Sequence, residues 1–409
     1  MTAAGHPRAR RSLLRPPGAD HGRVGMAELF FDLVFVFAVT QFSHALLAHS
    51  SWAEALRLAL LFVAVWMVWM YTVWFTNYAD PERAPVRIAL FVAMALGLLL
   101  SVSIPQAFGA LGALFACAYV AMQLGRTSYF VFILRDEQPQ LRRNNQRVAV
   151  WQAVAAVFWL IGGFAEPGAR LGWWVLAFAI DFASPWCAYW VPGLGAARIG
   201  EWTVDGNHMA ERCALFVIIA LGESLLVTGA TFARLEWTAA VRAVFASAFV
   251  GTVAMWWLYF DRGMVEAHHR IAHSSDPGRQ ARADYSYLHF FIVAAIIVCA
   301  AGDELAMAHP AHADGAAVAV MVGGPALYLL SVGGFKWLSR RRTRPPLSHL
   351  VGLGLLALLG WAGLRHAPSA LALHAAATAV LLLCAVWEHL SLRGSTPAHA
   401  GAVTAARPR

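Results

Sequence analysis

The chain has 409 residues, of which 59% are hydrophobic and only 13% charged, with a mean hydropathy of +0.58. A soluble domain carries about 25% charged residues, so this composition excludes an ordinary globular protein and points to an all-α polytopic membrane protein. The net charge is +8, yet every basic residue except Lys336 is an arginine, and their spacing follows a membrane topology, so the expected partner is the lipid bilayer and not a nucleic acid.

Residues 1–25 are rich in Arg and Pro and lack an apolar core, which predicts a disordered cytoplasmic tail. The first apolar segment follows with Glu28 and Asp32 at its start and Thr40, Gln41 and His44 near its far end. Helical spacing puts positions 28 and 32 on one face, about one turn apart. An Asp at the centre of a membrane helix costs roughly 2.5–3.5 kcal/mol on insertion scales. Such acids face a protein interior or a wet cavity. The plainer reading of Glu28 is a helix cap in the headgroup zone, where a negative charge suits the dipole.

About twelve apolar segments reach the length a bilayer requires. They run near 28–48, 53–76, 87–105, 109–134, 148–165, 171–191, 210–231, 239–261, 286–307, 316–338, 347–365 and 369–390. The sixth carries Asp181, Ser184 and Pro185. Proline cannot donate to the carbonyl of residue 181, so a kink is expected. The freed carbonyl, the carboxylate and the hydroxyl could together hold a cation or a proton. Alternatively Ser184 simply satisfies the kink.

The seventh segment opens on His208, Glu211 and Arg212 and carries Glu223 beside Gly222. Glu211 and Arg212 read as an interfacial cap with Arg212 snorkelling, or as a gate pair with Glu28 or Asp32. Glu223 lies about 18 Å along the helix from Glu211 at 1.5 Å per residue. A glycine next to a buried acid permits close helix approach, which suits a proton relay; a structural hydrogen bond to Ser224 or Thr228 is the alternative. His289 begins the ninth segment, and Asp303 and Glu304 near its end read as a solvated mouth. His44, His208 and His289 are candidate proton carriers. His268, His269 and His273 have helical ligand spacing in a charged loop, a weak metal signal. The five cysteines show no Cys-x-x-Cys pair and read as packing residues. Residues 393–409 read as a second disordered tail.

Arginine placement sets an orientation. With the N-terminus inside, only Arg57, Arg170, Arg234, Arg242 and Arg365 fall at outer ends, Arg126 lies within a span, and the remaining basic residues fall inside. Both termini are therefore expected in the cytoplasm. Met26-Ala27-Glu28 recurs as Met209-Ala210-Glu211, and the same displacement maps Trp74 onto Trp257. Two parallel six-helix repeats, 26–208 and 209–392, are expected, with a site at their shared interface.

The blocks ELFFDLVFVFAVTQ at 28–41 with His44, HMAER at 208–212 running into LFVIIALGES at 215–224, and His289 followed by Gly302 and His309-Pro310 resemble the bacterial low temperature requirement A (LtrA) family. The resemblance extends over most of the chain. It implies a multi-span protein of the bacterial inner membrane linked by name to growth in the cold. Cys213-Ala214 stands where that family usually carries a bulkier residue. The pattern Phe30-x-Asp32-x-Val34-Phe35-x-x-Ala38-x-Thr40 is also similar to the first helix of the lysosomal potassium-channel family, with Phe31 in place of that family's serine. This second resemblance implies a channel-like homodimer of two-repeat chains.

No Walker loop, dinucleotide fingerprint, His-Glu-x-x-His motif or Gly-x-Ser-x-Gly elbow is present. No cofactor is expected, and an enzyme is the less favoured class. The first functional reading is a permease or channel for protons, cations or a small solute, with Glu28, Asp32, Gln41, His44, Asp181, His208, Glu211, Glu223 and His289 along its pathway. The alternatives are an intramembrane lipid-modifying enzyme, and a sensor or scaffold in which the acids only specify packing.

Overall fold

A computed structural model describes residues 12–15, 24–48, 51–135, 137–261, 285–340, 344–366 and 368–393. The long elements among them are helices: α1 (Met26–Ala48), α2 (Trp52–Tyr78), α3 (Ala84–Ser103), α4 (Gly112–Ile133), α5 (Pro139–Phe164), α6 (Pro167–Trp186), α7 (Gly206–Arg234), α8 (Ala239–Phe260), α9 (Leu288–Ala308), α10 (Gly315–Arg340), α11 (Leu347–His366) and α12 (Ala370–Arg393). Apolar runs of this length fold as helices because, without water, each backbone N–H and C=O must be satisfied within its own segment.

Ten of the helices are long and apolar enough to cross a membrane; α4 and α6 fall short. In α4 the cause is the polar run Gln123, Arg126, Thr127 and Ser128, and in α6 it is Arg170 and Asp181. Large apolar side chains such as Leu33, Ile88 and Leu358 stand exposed, while Glu28, Asp32 and Arg212 are fully buried. This inversion of the soluble pattern is that of a multi-pass membrane protein.

Element ends follow local chemistry. The Ser51 and Thr238 hydroxyls accept from the N–H groups of Glu54 and Val241 and start α2 and α8. Proline at the first turn starts α5 and α6. Helix α5 begins well before the expected apolar boundary at 148, because its polar first turns pack inward: Asn144 and Arg147 are buried. Helix α6 ends earlier than expected, where Ala188 and Tyr189 take left-handed backbone angles, φ 49° and 50°.

The chain divides into two compact units, Met1–Glu223 with His268–Ile297, and Ser224–Ala267 with Val298–Arg409. The divisions fall inside α7 and α9. In the first unit α4 packs on α5 and α5 on α6. Gly163 permits the α4–α5 approach, since a Cβ there would sit 2.5 Å from that of Ala116.

Part of the expected N-terminal tail is ordered. Residues 12–15 lie along the end of α2, with Arg15 N donating to Tyr78 O at 2.9 Å and Asp80 N to Leu13 O at 2.9 Å. Leu14 is buried among Phe75, Tyr78, Val86, Phe130 and Leu141, an apolar socket that composition alone does not reveal. Leu14→Ala should cost about 2–4 kcal/mol. Limited proteolysis should then cut near residues 12–15 much faster than in wild type; an unchanged rate would show that the socket does not hold this segment.

Candidate functional site

The centre of the first unit is a charged cluster between α1 and α7. Glu28 occupies the first turn of α1, and its Oε2 accepts from the N–H of Gly25 at 2.8 Å, so it does cap its helix. The same oxygen accepts from Arg15 Nη2 at 2.9 Å. Its Oε1 accepts from Arg212 Nη1 at 2.8 Å and meets His208 Nε2 at 2.8 Å. One turn on, Asp32 Oδ1 accepts from Arg212 Nη2 at 2.6 Å and from the Trp69 indole N–H at 2.8 Å. Glu28, Asp32, His208 and Arg212 are all 0% exposed.

Arg212 thus corrects the expectation of a snorkelling cap. Its face of α7 packs on α1, and two carboxylates one turn apart match the fork of its guanidinium. Two carboxylates stand against the guanidiniums of Arg15 and Arg212, so the cluster is charge-balanced with His208 neutral.

The tautomer of His208 follows from Asn77. Asn77 Oδ1 accepts from the backbone N–H of Asp205 at 2.9 Å, and its Nδ2 donates to Asp205 O at 2.9 Å. This fixes the amide, whose second N–H points at His208 Nδ1, 3.2 Å away. Nδ1 therefore accepts, which assigns the ring proton to Nε2, facing Glu28; Arg15 Nη2 also lies 3.1 Å from Nε2 and makes no hydrogen bond to it in this tautomer. Asp32 Oδ2 and Arg212 Nε have no hydrogen-bond partner among the described residues.

The expected pathway residues do not converge in one chamber. Beyond Asp32 on α1, Phe35, Ala38, Val39 and Phe42 pack with Trp66, Trp69 and Phe216 around a void of only about 10 Å³. Past this aromatic layer, the Thr40 hydroxyl pairs with Glu223 Oε1. Asp181 sits apart on α6, where its Oδ2 accepts from Tyr119 OH at 2.9 Å and Trp159 Nε1 at 3.1 Å. Ser184 Oγ donates to the Asp181 carbonyl at 2.7 Å, so the kink is satisfied internally. His44 is exposed, and Gln41 and Glu211 are half-buried. His289 is buried and stacks on Tyr285, with ring centroids 5.3 Å apart.

The second unit holds a site that sequence reading missed. Asp303 is buried, not part of a solvated mouth. Its Oδ1 lies 2.7 Å from His374 Nε2, and Thr228 donates to its Oδ2 at 3.3 Å. His374 Nδ1 lies 3.0 Å from Ser247 Oγ. A void of about 20 Å³ adjoins the pair, lined by Thr252, Thr378 and Gly302 among others. Nothing in the sequence links positions 228, 247, 303 and 374; only a polar residue inside an apolar run hinted at each. Lys336 Nζ donates to Glu388 Oε2 at 2.6 Å in the same unit.

Among the described residues no three His, Cys, Asp or Glu side chains are placed to hold a metal. His268, His269 and His273 lie outside them. Outside the spans, Glu201 in the α6–α7 loop stays below the ordinary carboxylate range. Partial burial pushes it up, but the Arg198 N–H, the Gln140 and Asn144 amides and the Arg147 charge outweigh that.

The family model of the bacterial low temperature requirement A protein (LtrA) matches residues 23–386. The chain belongs to the LtrA family. An uncharacterized protein of Rhizobium meliloti (strain 1021) is 37% identical over 385 residues, covering 93% of this chain and 92% of that one. No solved structure matches this LtrA chain. The match takes in both the Glu28–Arg212 cluster and the Asp303–His374 pair.

Proposed function

We propose that this LtrA protein is a proton-linked permease of the bacterial cytoplasmic membrane with both termini inside, built as two parallel six-helix repeats, 26–208 and 209–392. The observation that carries the proton-linked reading is the Asp303–His374 pair. A carboxylate and an imidazole 2.7 Å apart, buried in apolar helices, can pass one proton between them. Hydroxyls at both ends, Thr228 and Ser247, extend the hydrogen-bonded chain. The adjoining void is large enough for one water. It is too small for a lipid chain, which favours proton movement over lipid chemistry at this pair.

The repeat is supported by helix pairings that recur six helices on: α4–α5 with α10–α11, α5–α6 with α11–α12, α2–α6 with α8–α12, and α2–α4 with α8–α10. The recurrence of Met-Ala-Glu sets Glu28 and Glu211 at matching places in α1 and α7. The arginine bias of the loops supports the orientation. The family's description supports a part in low-temperature growth.

The test is proton entry into proteoliposomes that hold a pH dye, driven by a valinomycin-set potassium potential. Wild type should acidify the lumen. Asp303→Asn and His374→Gln should slow this at least about tenfold, while Asp303→Glu should recover part of the rate. Flux in Asp303→Asn equal to wild type, or none in wild type, would remove the proton reading.

A further inference from the structure

The first unit contains a second feature, unrelated to the charged cluster. A cavity of about 510 Å³ opens among α2, α4, α5, α6 and the start of α9. Its size falls within the range of small-molecule sites, roughly 300–1,000 Å³. Aromatic rings make up most of its wall. Three wall residues, Phe182, Trp186 and Phe291, are 43%, 74% and 46% exposed, so the mouth is framed by apolar side chains. These side chains offer a water-soluble ligand no polar contact at the mouth; one arriving from the hydrocarbon of the bilayer needs none.

Among the described residues one full charge faces this cavity: Arg126 of α4. Its Nη1 donates to Val68 O and Thr72 Oγ1, each at 3.2 Å, and its Nη2 to Gln123 Oε1 at 2.5 Å. The Tyr71 ring centroid lies 5.4 Å from its Cζ. A guanidinium has five N–H donors, so Nε–H and one N–H of Nη2 remain without an acceptor among the described residues. All three acceptors are neutral, and among the described residues no carboxylate lies within ion-pair distance of it. Arg126 is half-buried, and a charge withdrawn from water ordinarily has a counter-charge. Each described arginine that is buried in this unit has an acid or a set of carbonyls: Arg212 has two carboxylates, Arg147 has Glu201 and the Leu194 carbonyl, and Arg170 has backbone carbonyls only.

The wall beside Arg126 is held in place at a structural cost. Tyr189 hydrogen-bonds Tyr71 OH at 3.1 Å while its backbone sits at φ 50°, a left-handed conformation unfavourable for a bulky residue. Strain of this kind collects where a site must be shaped. Trp66 and Trp74 tie α2 to the start of α9 by donating to the carbonyl and hydroxyl of Ser286 at 2.8 and 3.4 Å.

We propose that this cavity binds a single-tailed anionic amphiphile, its carboxylate or phosphate-monoester head on Arg126 and its apolar tail along the aromatic wall toward the bilayer. The head supplies the missing counter-charge and takes the unused N–H groups in a bidentate contact. The tail matches an apolar mouth. A cation is disfavoured by Arg126 despite the aromatic lining. The inference stands independently of proton movement at Asp303.

The experiment uses the full chain in lipid nanodiscs and a fluorescent polyene fatty acid as probe. Displacement is measured with unlabelled alkyl compounds of one chain length: the carboxylate, the phosphate monoester, the methyl ester and the amine. At least one of the two anions should bind about tenfold or more tighter than the ester and the amine, the value of a charge-assisted pair. Which anion wins identifies the head. Acetate and inorganic phosphate should not displace the probe at concentrations where the amphiphiles do. Arg126→Gln, checked as monodisperse, should still bind the ester but lose the preference for anions. Equal binding of ester and anions to wild type, a preference for the amine, displacement by acetate or phosphate alone, or an intact preference in Arg126→Gln would each overturn the proposal. If Arg126→Gln does not fold, the wild-type series alone decides between these outcomes.

Discussion

Arg212→Met should destabilise the folded protein by about 3–5 kcal/mol, because it strands two buried carboxylates that shared one guanidinium. The expected readout is a large fall in the melting temperature in detergent, followed by size exclusion. The neighbours cannot compensate. Arg15 reaches only Glu28, and Asp32 would keep a single donor, the Trp69 indole. Glu28→Gln should cost less, since the amide keeps the shape and one acceptor for His208 or Arg212. The combined variant Glu28→Gln, Asp32→Asn, Arg212→Met should be more stable than Arg212→Met alone, because it removes both fully buried carboxylates with their shared guanidinium and leaves only Arg15, which is partly exposed. A single Arg212→Met variant as stable as wild type would show that the cluster contributes no stability.

The second large effect is expected at Arg170, the residue that the orientation argument placed at an outer helix end. It is buried, and it donates to five carbonyls: Gly162 at 3.0 Å, Ala107 at 3.0 Å, Gly109 at 2.6 Å, Gly163 at 3.4 Å and Ala165 at 3.1 Å. Three of these lie at or just beyond the end of α5, where carbonyls have no intrahelical partner and a cation suits the dipole. The other two belong to the turn after α3. One side chain therefore ties the α3–α4 turn to the end of α5. Arg170→Met leaves all five acceptors without this donor at about 1–3 kcal/mol for each one that stays dry. The net loss should be at least about 3 kcal/mol once water reaches some of them, and Arg170→Lys should recover only a minor part because an ammonium cannot span the five. Thermal melts of the two variants check this. Near-wild-type stability in Arg170→Met would mean that the carbonyls find other donors.

Much of the site was half-legible. Glu28, Asp32 and His208 were singled out because acids and a histidine inside apolar runs need a reason to be there, and they do meet. Their partner Arg212 was weighed as a gate and as a cap, and spacing along one helix could not choose. The choice depended on which face of α7 meets α1. Asp303 was read as solvated from its place near the end of α9, but burial depends on neighbours that the linear order does not name. His374 and Ser247 carried only the faint signal of a polar residue inside an apolar run. Gln41 and His44 lie on the same helix, α1, yet the first is half-buried and the second exposed, a difference that linear order does not report.

The linear order of residues was enough to settle the class of protein, the long helices and the family. Long apolar runs admit one backbone solution in a bilayer, and that solution is local. Which side chains touch was decided only by the packing. In a soluble helix the apolar stripe says which way to face. In lipid both the outer and the inner faces are apolar, so periodicity does not report rotation. The meeting of residue 28 with residue 212, of 303 with 374, and the lone guanidinium on an aromatic cavity all follow from helix rotations that no stretch of sequence records.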